Sequence, residues 1–281
     1  MKIFRTISEL QNWGIPNQNN NIGYVPTMGA LHEGHLSLVK HSKNTCKITI
    51  VSIFVNELQF APEEDFEQYP RTLEQDLAKL KQLKVDALFL PSSIEIYKND
   101  FSFLISEKNL SQKLEGLSRP GFFSGVTTIV CKLFNIIQPS FAFFGKKDIQ
   151  QLIIIKKMVS DLNFNITIVG CETIRESSGL AMSSRNQYLS NEDKKSASLL
   201  YKTLVLGKDL LNNFEEVGSV KLQMKTTLEN NKKIKIDYIS IANLDTLREF
   251  KKNVILKNEK AVISAAIFIN GVRLIDNIII E

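Results

Sequence analysis

The sequence predicts an α/β protein in two parts: a doubly wound parallel sheet over residues 1–173 and a second, smaller α+β domain over residues 174–281. Three observations carry that expectation. Apolar strand-like runs alternate with helix-period segments through the first two-thirds of the chain, the rhythm of parallel strands joined by right-handed helical crossovers. A glycine-containing loop stands where the first clear strand hands over to a helix. After about Thr173 the pattern changes to consecutive helices and then to strands with a hairpin signal.

Taken in order, Ile22 to Val25 is a short apolar strand that runs into the loop, with a helix from about Gly34. Lys47 to Val55 is rich in Ile and Val and has no helical stripe, so it reads as a buried strand. Leu73, Leu77, Leu80 and Leu83 fall at helical spacing and lead into a strand at Val85 to Leu90. A helix over Val126 to Ile137, a strand Phe141 to Phe144, a helix Ile149 to Leu162 and a strand Ile166 to Val169 continue the alternation. In the later domain Ser190 with Asp193 forms a capping box before a helix through Leu199, Leu200 and Leu204. A second helix spans Val217 to Leu228, strands follow at Ile234 to Ile241 and Ala261 to Ile269, and Asn270-Gly271 signals a hairpin turn. The run Asn17 to Asn21 reads as a surface loop.

The composition narrows the function classes. With 35 basic and 30 acidic residues the net charge is +5, too small and too scattered for a nucleic-acid footprint. Cys46, Cys131 and Cys171 are odd in number and far apart, which argues against a disulfide framework or a zinc site and fits a reducing, cytoplasmic setting. The N-terminus lacks a signal-peptide pattern, and runs such as Leu152 to Ile155 are too short to span a bilayer.

The strongest local signal is Pro26-Thr27-Met28-Gly29-Ala30-Leu31-His32-Glu33-Gly34-His35 at the strand-to-helix junction. A helix N-terminus presents unpaired N–H groups that suit phosphates. Gly29 and Gly34 let a backbone approach a ligand, and His32 and His35 lie one turn apart on one side. Two such donors suit the charge on a departing pyrophosphate. The same pair also fits a metal site or two surface histidines, although the spacing is one residue short of the metalloprotease pattern. His-x-Gly-His is the ATP signature of the nucleotidylyltransferase and class I tRNA synthetase superfamily, and it does not choose an acceptor.

Further segments choose one. They are Ser52-Ile53-Phe54-Val55-Asn56 with Gln59-Phe60, Phe66 to Thr72, Leu114-Glu115-Gly116 and Arg119-Pro120-Gly121. Lys132 to Asn135, Phe144-Gly145-Lys146-Lys147-Asp148 with Gln150-Gln151, and Gly179 to Asn186 follow. Together these resemble the pantoate–β-alanine ligase family from Tyr24 to Leu189, and again at Arg273 to Asn277. The resemblance implies condensation of pantoate with β-alanine, using ATP and magnesium, through a pantoyl-adenylate with AMP and pyrophosphate as by-products. It also implies a cytoplasmic homodimer with a Rossmann-like N-terminal domain and a smaller C-terminal lid.

Site roles follow from the same resemblance. His32 and His35 would bind the β-phosphate side, with His35 the family's proton donor. Lys147, Ser183, Ser184 and Arg185 would hold the triphosphate. Met28, Ile174 and Met182 would touch the nucleotide through backbone, and Gly29, Ala30, Leu31, Glu33 and Gly34 would complete the ATP-binding stretch. Gly145 and Asp148 would frame the adenosine, and Lys146 would add positive charge near the phosphates. Gln59 and Gln151, with Asn56 beside them, would grip pantoate, since amides supply donor and acceptor without a charge to desolvate. Four positions depart from the family pattern: Glu57 for a proline, Gln75 for an aspartate beside Asp76, Phe122 for a histidine and Lys146 for an acidic or amide residue. Two rivals remain at this point. One is a nucleotidylyltransferase acting on a phosphorylated acceptor, which would call for arginines where Gln59 and Gln151 stand. The other is a nucleotide- or RNA-binding module without catalysis, for which a basic aromatic patch is missing.

Overall fold

The computed structural model describes residues 1–14 and 21–281, so the expected Asn17 to Asn21 loop lies outside the described residues except for Asn21, which is exposed. The chain opens with β1 (Lys2–Phe4), α1 (Ile7–Gly14), β2 (Ile22–Thr27), α2 (Glu33–Thr45), β3 (Ile48–Ile53), α3 (Leu73–Gln82) and β4 (Ala87–Phe89). The short helices α4 (Ser93–Ile96) and α5 (Glu115–Ser118) precede α6 (Phe122–Ile137), β5 (Phe141–Gly145), α7 (Ile149–Asp161) and β6 (Thr167–Cys171). Two long helices, α8 (Asn191–Asn212) and α9 (Val217–Glu229), lead to β7 (Ile234–Asn243), β8 (Ala261–Ile269) and β9 (Val272–Ile280). The chain divides into two compact units. One comprises Met1–Ser111, Arg119–Lys146 and Gln151–Glu172; the other comprises Gln112–Ser118, Lys147–Gln150 and Thr173–Glu281.

In the first unit six parallel strands run in the order β1-β4-β3-β2-β5-β6. Both faces are covered, which is why the strands read as continuous apolar runs. On one face Val25, Val51, Leu88 and Phe143, one from each of four adjacent strands, pack with Leu36, Val39 and Leu80. On the other, Tyr24 meets Phe134 of α6 edge-on, with ring centroids 6.4 Å apart. The unpredicted β1 pairs with β4 at the sheet margin, and Lys2 and Ile3 are exposed, so it leaves no buried run to detect.

The strand order reverses between β2 and β5, the place where open α/β sheets bind ligands at the strands' carboxyl ends. The registers show the crevice opening. β2 pairs with β3 from Ile22 through Thr27, but with β5 only at Gly23 and Tyr24. Pro26 sits beyond that last pair, so a central strand tolerates a residue without an N–H.

The second unit is an antiparallel sheet, β7-β8-β9, backed by α8 and α9. Alternate β8 residues Ala261, Ile263, Ala265, Ile267 and Ile269 form one core with Leu200, Leu204 and Leu211 of α8 and Val220, Met224 and Leu228 of α9. Each such aliphatic side chain contributes about 1.5–3 kcal/mol by leaving water. Ser190 caps α8 as expected, accepting from the Asp193 N–H at 3.1 Å and donating to its carboxylate at 2.7 Å. Asn270 (φ 48°) and Gly271 (φ 81°) make the predicted hairpin turn. The three cysteines are free and buried. No helix among the described residues is long and apolar enough to cross a membrane.

Candidate active site

The loop after β2 is held from below by the start of α3. Gly29 (φ 84°) and Ala30 (φ 49°) both take left-handed backbone. For alanine that geometry costs about 1–2 kcal/mol. Asp76, buried at 1 % exposure, offsets it by accepting the N–H of Ala30 and of Leu31, each at 2.8 Å. One turn later on α3, Lys79 donates to the Leu31 carbonyl. Thr27 Oγ1 accepts from the Gly29 N–H at 3.3 Å and donates to the Ser52 carbonyl at 2.7 Å. The N–H groups of Ala30 and Leu31, two residues of the expected ATP-binding stretch, are directed at Asp76. In the sequence Asp76 stands out only as the neighbour of Gln75, and its hold on this loop comes from the fold.

The loop delivers His32 as the N-cap of α2. His32 Nδ1 accepts from the Gly34 N–H at 3.1 Å, and His35 Nδ1 accepts from the His32 N–H at 3.4 Å, closing a reciprocal capping box. A ring nitrogen that accepts an N–H carries no proton, so both neutral imidazoles hold their proton on Nε2. The rings lie side by side with centroids 4.1 Å apart. Two Nε2–H donors on one side of a helix start suit phosphate oxygens better than a metal ion, which would need a bare nitrogen. Glu33 turns away, paired with Lys40 at 3.3 Å on the exposed side of the helix.

Asn56 and Gln59 follow β3. Asn56 is 1 % exposed and spends its amide internally: Nδ2 donates to Gln59 Oε1 at 3.2 Å and to the Gly125 carbonyl at 3.1 Å, while Oδ1 accepts from the Tyr97 hydroxyl at 2.6 Å. It thereby holds the Gln59 side chain. Gln59 Nε2 points at Met28 Sδ, 2.9 Å away, which joins the ends of β2 and β3. Arg119 braces the same turn, donating to the Gln59 carbonyl at 3.2 Å and clasping Glu64 through two nitrogens at 2.6 Å. Gly145 ends β5, Lys146 opens the turn after it, and Gln151 stands half-buried on the first turn of α7.

The remaining expected residues lie in the second unit. Lys147 pairs with Asp148 at 3.5 Å, and its carbonyl accepts from Asn277 Nδ2 of β9 at 2.7 Å. Ile174 and Met182 face each other across a narrow turn, with the Met182 N–H on the Ile174 carbonyl at 2.9 Å. Arg175 holds that turn: it pairs with buried Asp276 through two nitrogens at 2.5 and 3.0 Å, donates to the Gly179 carbonyl, and lies 3.6 Å over the Tyr201 ring. Ser183 caps the next turn by accepting the Arg185 N–H at 3.3 Å, and Ser184 is buried beside it. Asn186 ties this turn to Glu176 and to the Ala181 carbonyl, both at 3.0 Å. Arg175, Asp276 and Asn186 thus shape the serine–arginine segment; Asn186 and Asp276 fall in segments that carry the resemblance, whereas Arg175 lies outside them.

The four departures each find a local partner or solvent. Glu57 is exposed and accepts from Ser93 at 3.0 Å. Phe122 lies under the Arg119 guanidinium at 3.7 Å. Lys146 is paired with Glu172. Gln75 faces solvent, and both Asp76 oxygens are engaged by backbone, so this pair offers no carboxylate to a metal. Among the described residues no group of three or more His, Cys, Asp or Glu side chains is placed to hold a metal ion.

Comparison with known proteins agrees over the full length. The family described as Pantoate-beta-alanine ligase matches residues 2–279. Pantothenate synthetase from Caldicellulosiruptor bescii is 47% identical, over 100% of this chain and 99% of the relative. The Fervidobacterium nodosum enzyme of the same name is 46% identical over 100% of both chains. Among solved structures, pantothenate synthetase from Thermus thermophilus superposes with a TM-score of 0.91 at 38% identity, over 99% of each chain. Pantoate–β-alanine ligase from Francisella tularensis, solved with β,γ ATP and β-alanine, gives 0.81 at 38% identity over 99% of this chain and 97% of that one. The chain therefore belongs to the pantoate–β-alanine ligase family, which makes pantothenate from pantoate, β-alanine and ATP.

Proposed function

We propose that the chain runs this ligation through an enzyme-bound pantoyl-adenylate. A pantoate carboxylate oxygen attacks the α-phosphorus of ATP, the bond from that phosphorus to the bridging oxygen breaks, and pyrophosphate leaves. The β-alanine amine then attacks the acyl carbon, AMP leaves with the bonding pair, and the amine gives up a proton. Binding of ATP and β-alanine by the Francisella tularensis relative supports these two ligands for this chain.

The observation that carries the reading is the locked histidine pair, with Nδ1 of each ring accepting a backbone N–H, which leaves the ring proton on Nε2. Such donors need no reorganisation as charge grows on the leaving group, which is the main source of stabilisation in sites of this kind. His32 and His35 act on the pyrophosphate side, together with Lys147, Ser183, Ser184 and Arg185. Met28, Ile174 and Met182 contribute backbone, and Gly145 and Asp148 adjoin the nucleoside. Gln59 and Gln151 hold pantoate, whereas Asn56 acts through Gln59. Magnesium would be held chiefly by the triphosphate, as is usual for an ion that keeps its waters, because Asp76 is committed to backbone. It would neutralise charge on the phosphates.

His35→Ala is expected to slow pantoate-dependent pyrophosphate release by about a hundredfold or more. An unchanged rate would remove His35 from the chemistry.

A further inference from the structure

The environment of Gln59 fixes which way round its amide lies. The anchor is the Gly125 carbonyl, which can only accept. The Asn56 atom 3.1 Å from it must be the nitrogen, so the Asn56 amide cannot flip. The same nitrogen faces the Gln59 amide at 3.2 Å, so the Gln59 atom there must be its oxygen. Asn56 Oδ1 is left facing the Tyr97 oxygen at 2.6 Å, so Tyr97 must donate. Burial first, and the Glu57 charge second, push the Tyr97 hydroxyl above its ordinary range, so it keeps the proton this bond requires.

The backbone is shaped for this contact. A Cβ on Gly125 would lie 2.1 Å from the Leu58 carbonyl oxygen and 2.6 Å from the Gln59 nitrogen. Only glycine lets α6 come close enough for its carbonyl to serve as anchor. Arg119, braced on Glu64, secures the Gln59 carbonyl from the other side. The amide is thereby held with its oxygen inward and Nε2 toward Met28.

We infer that Tyr97 and Asn56, anchored on the Gly125 carbonyl, are positioning residues in a one-way hydrogen-bond relay that presents Gln59 to pantoate as a donor only. Gln59 then selects an acceptor at that point, the carboxylate or a hydroxyl lone pair, and a substrate group that could only donate there is rejected. This rests on the proposed reading that Gln59 touches pantoate.

Kinetics of pyrophosphate release with the full chain separate the two. Gln59→Met keeps the length and loses the donor; pantoate KM is expected to rise about tenfold or more, as for a lost hydrogen bond to a charged group, with ATP KM unchanged. Gln59→Glu sets a carboxylate against an acceptor, and pantoate KM is expected to rise about tenfold again. Tyr97→Phe keeps the ring and loses the relay's first donor; pantoate KM is expected to rise about threefold to tenfold while ATP KM holds. If Gln59→Met leaves pantoate KM unchanged, Gln59 is not a contact. If it raises KM but Gln59→Glu matches it or improves on it, the contact stands and the donor-only relay is overturned. An unchanged pantoate KM in Tyr97→Phe overturns Tyr97's part.

Discussion

Asp76→Asn is the sharpest probe of how the nucleotide loop is held. The substitution preserves shape but exchanges one oxygen for an NH2 group, while Ala30 and Leu31 each present an N–H at 2.8 Å. One backbone donor keeps its acceptor and the other meets a donor. Losing a hydrogen bond to a charged group costs about 1.5–3 kcal/mol, and a stranded buried N–H adds about 1–3, so roughly 2.5–6 kcal/mol is expected in total. At about 2–4 °C per kcal/mol for a chain of this order, thermal melts should move down by roughly 5–24 °C. Relaxation of Ala30 from its left-handed backbone should also shift His32, and a displacement near 1 Å can cost about a hundredfold in rate. Thermal melts by circular dichroism, paired with pyrophosphate-release rates, measure both effects. A melting point within about 2 °C of wild type together with an unchanged rate would show that Asp76 does not hold the loop.

Two further outcomes follow from the same physical reasoning. In the second unit Arg273 donates to Glu115 at 2.5 and 3.0 Å and to Asp237 at 2.6 Å, with Glu115 only 5 % exposed. Arg273→Met removes the cation paired with that buried carboxylate and should cost about 3–5 kcal/mol by urea unfolding; a loss under about 1 kcal/mol would mean that the ion pair adds little. Burial, then the Glu172 charge, push the Cys171 thiol from 9.0 up to about 11, although nearby Lys146 pulls the other way. The folded chain therefore keeps a proton that the unfolded chain loses. This contribution to stability is complete below pH 9 and is lost as pH rises to about 11, so Cys171→Ala should flatten the alkaline fall in urea stability. The same slope in wild type and variant would contradict it.

The sheet was legible because its strands are buried on both faces. Ile48 to Ile53 is mostly Ile and Val and Phe141 to Gly145 is an unbroken apolar run, whereas β1, at the margin with Lys2 and Ile3 exposed, carries none. The histidine pair was legible because its geometry is local: both capping contacts span three residues or fewer. What supports the site is non-local. Asp76 reaches back 46 residues to Ala30, Asn56 meets Tyr97 across 41 residues and Gly125 across 69, and Arg175 meets Asp276 across 101. Nothing in the spacing of an aspartate on α3 or a glycine in α6 announces such partners. For the same reason Asn56 reads in sequence as a ligand contact beside Gln59, yet its amide is spent inside the fold.

The central claim, that an acyl-adenylate precedes amide formation, is tested most directly by a quenched single turnover of ATP and pantoate with magnesium and no β-alanine. About one pyrophosphate per active site is expected together with enzyme-bound pantoyl-adenylate, and prompt conversion to pantothenate and AMP when β-alanine is added. Pyrophosphate that appears only once β-alanine is present would contradict it.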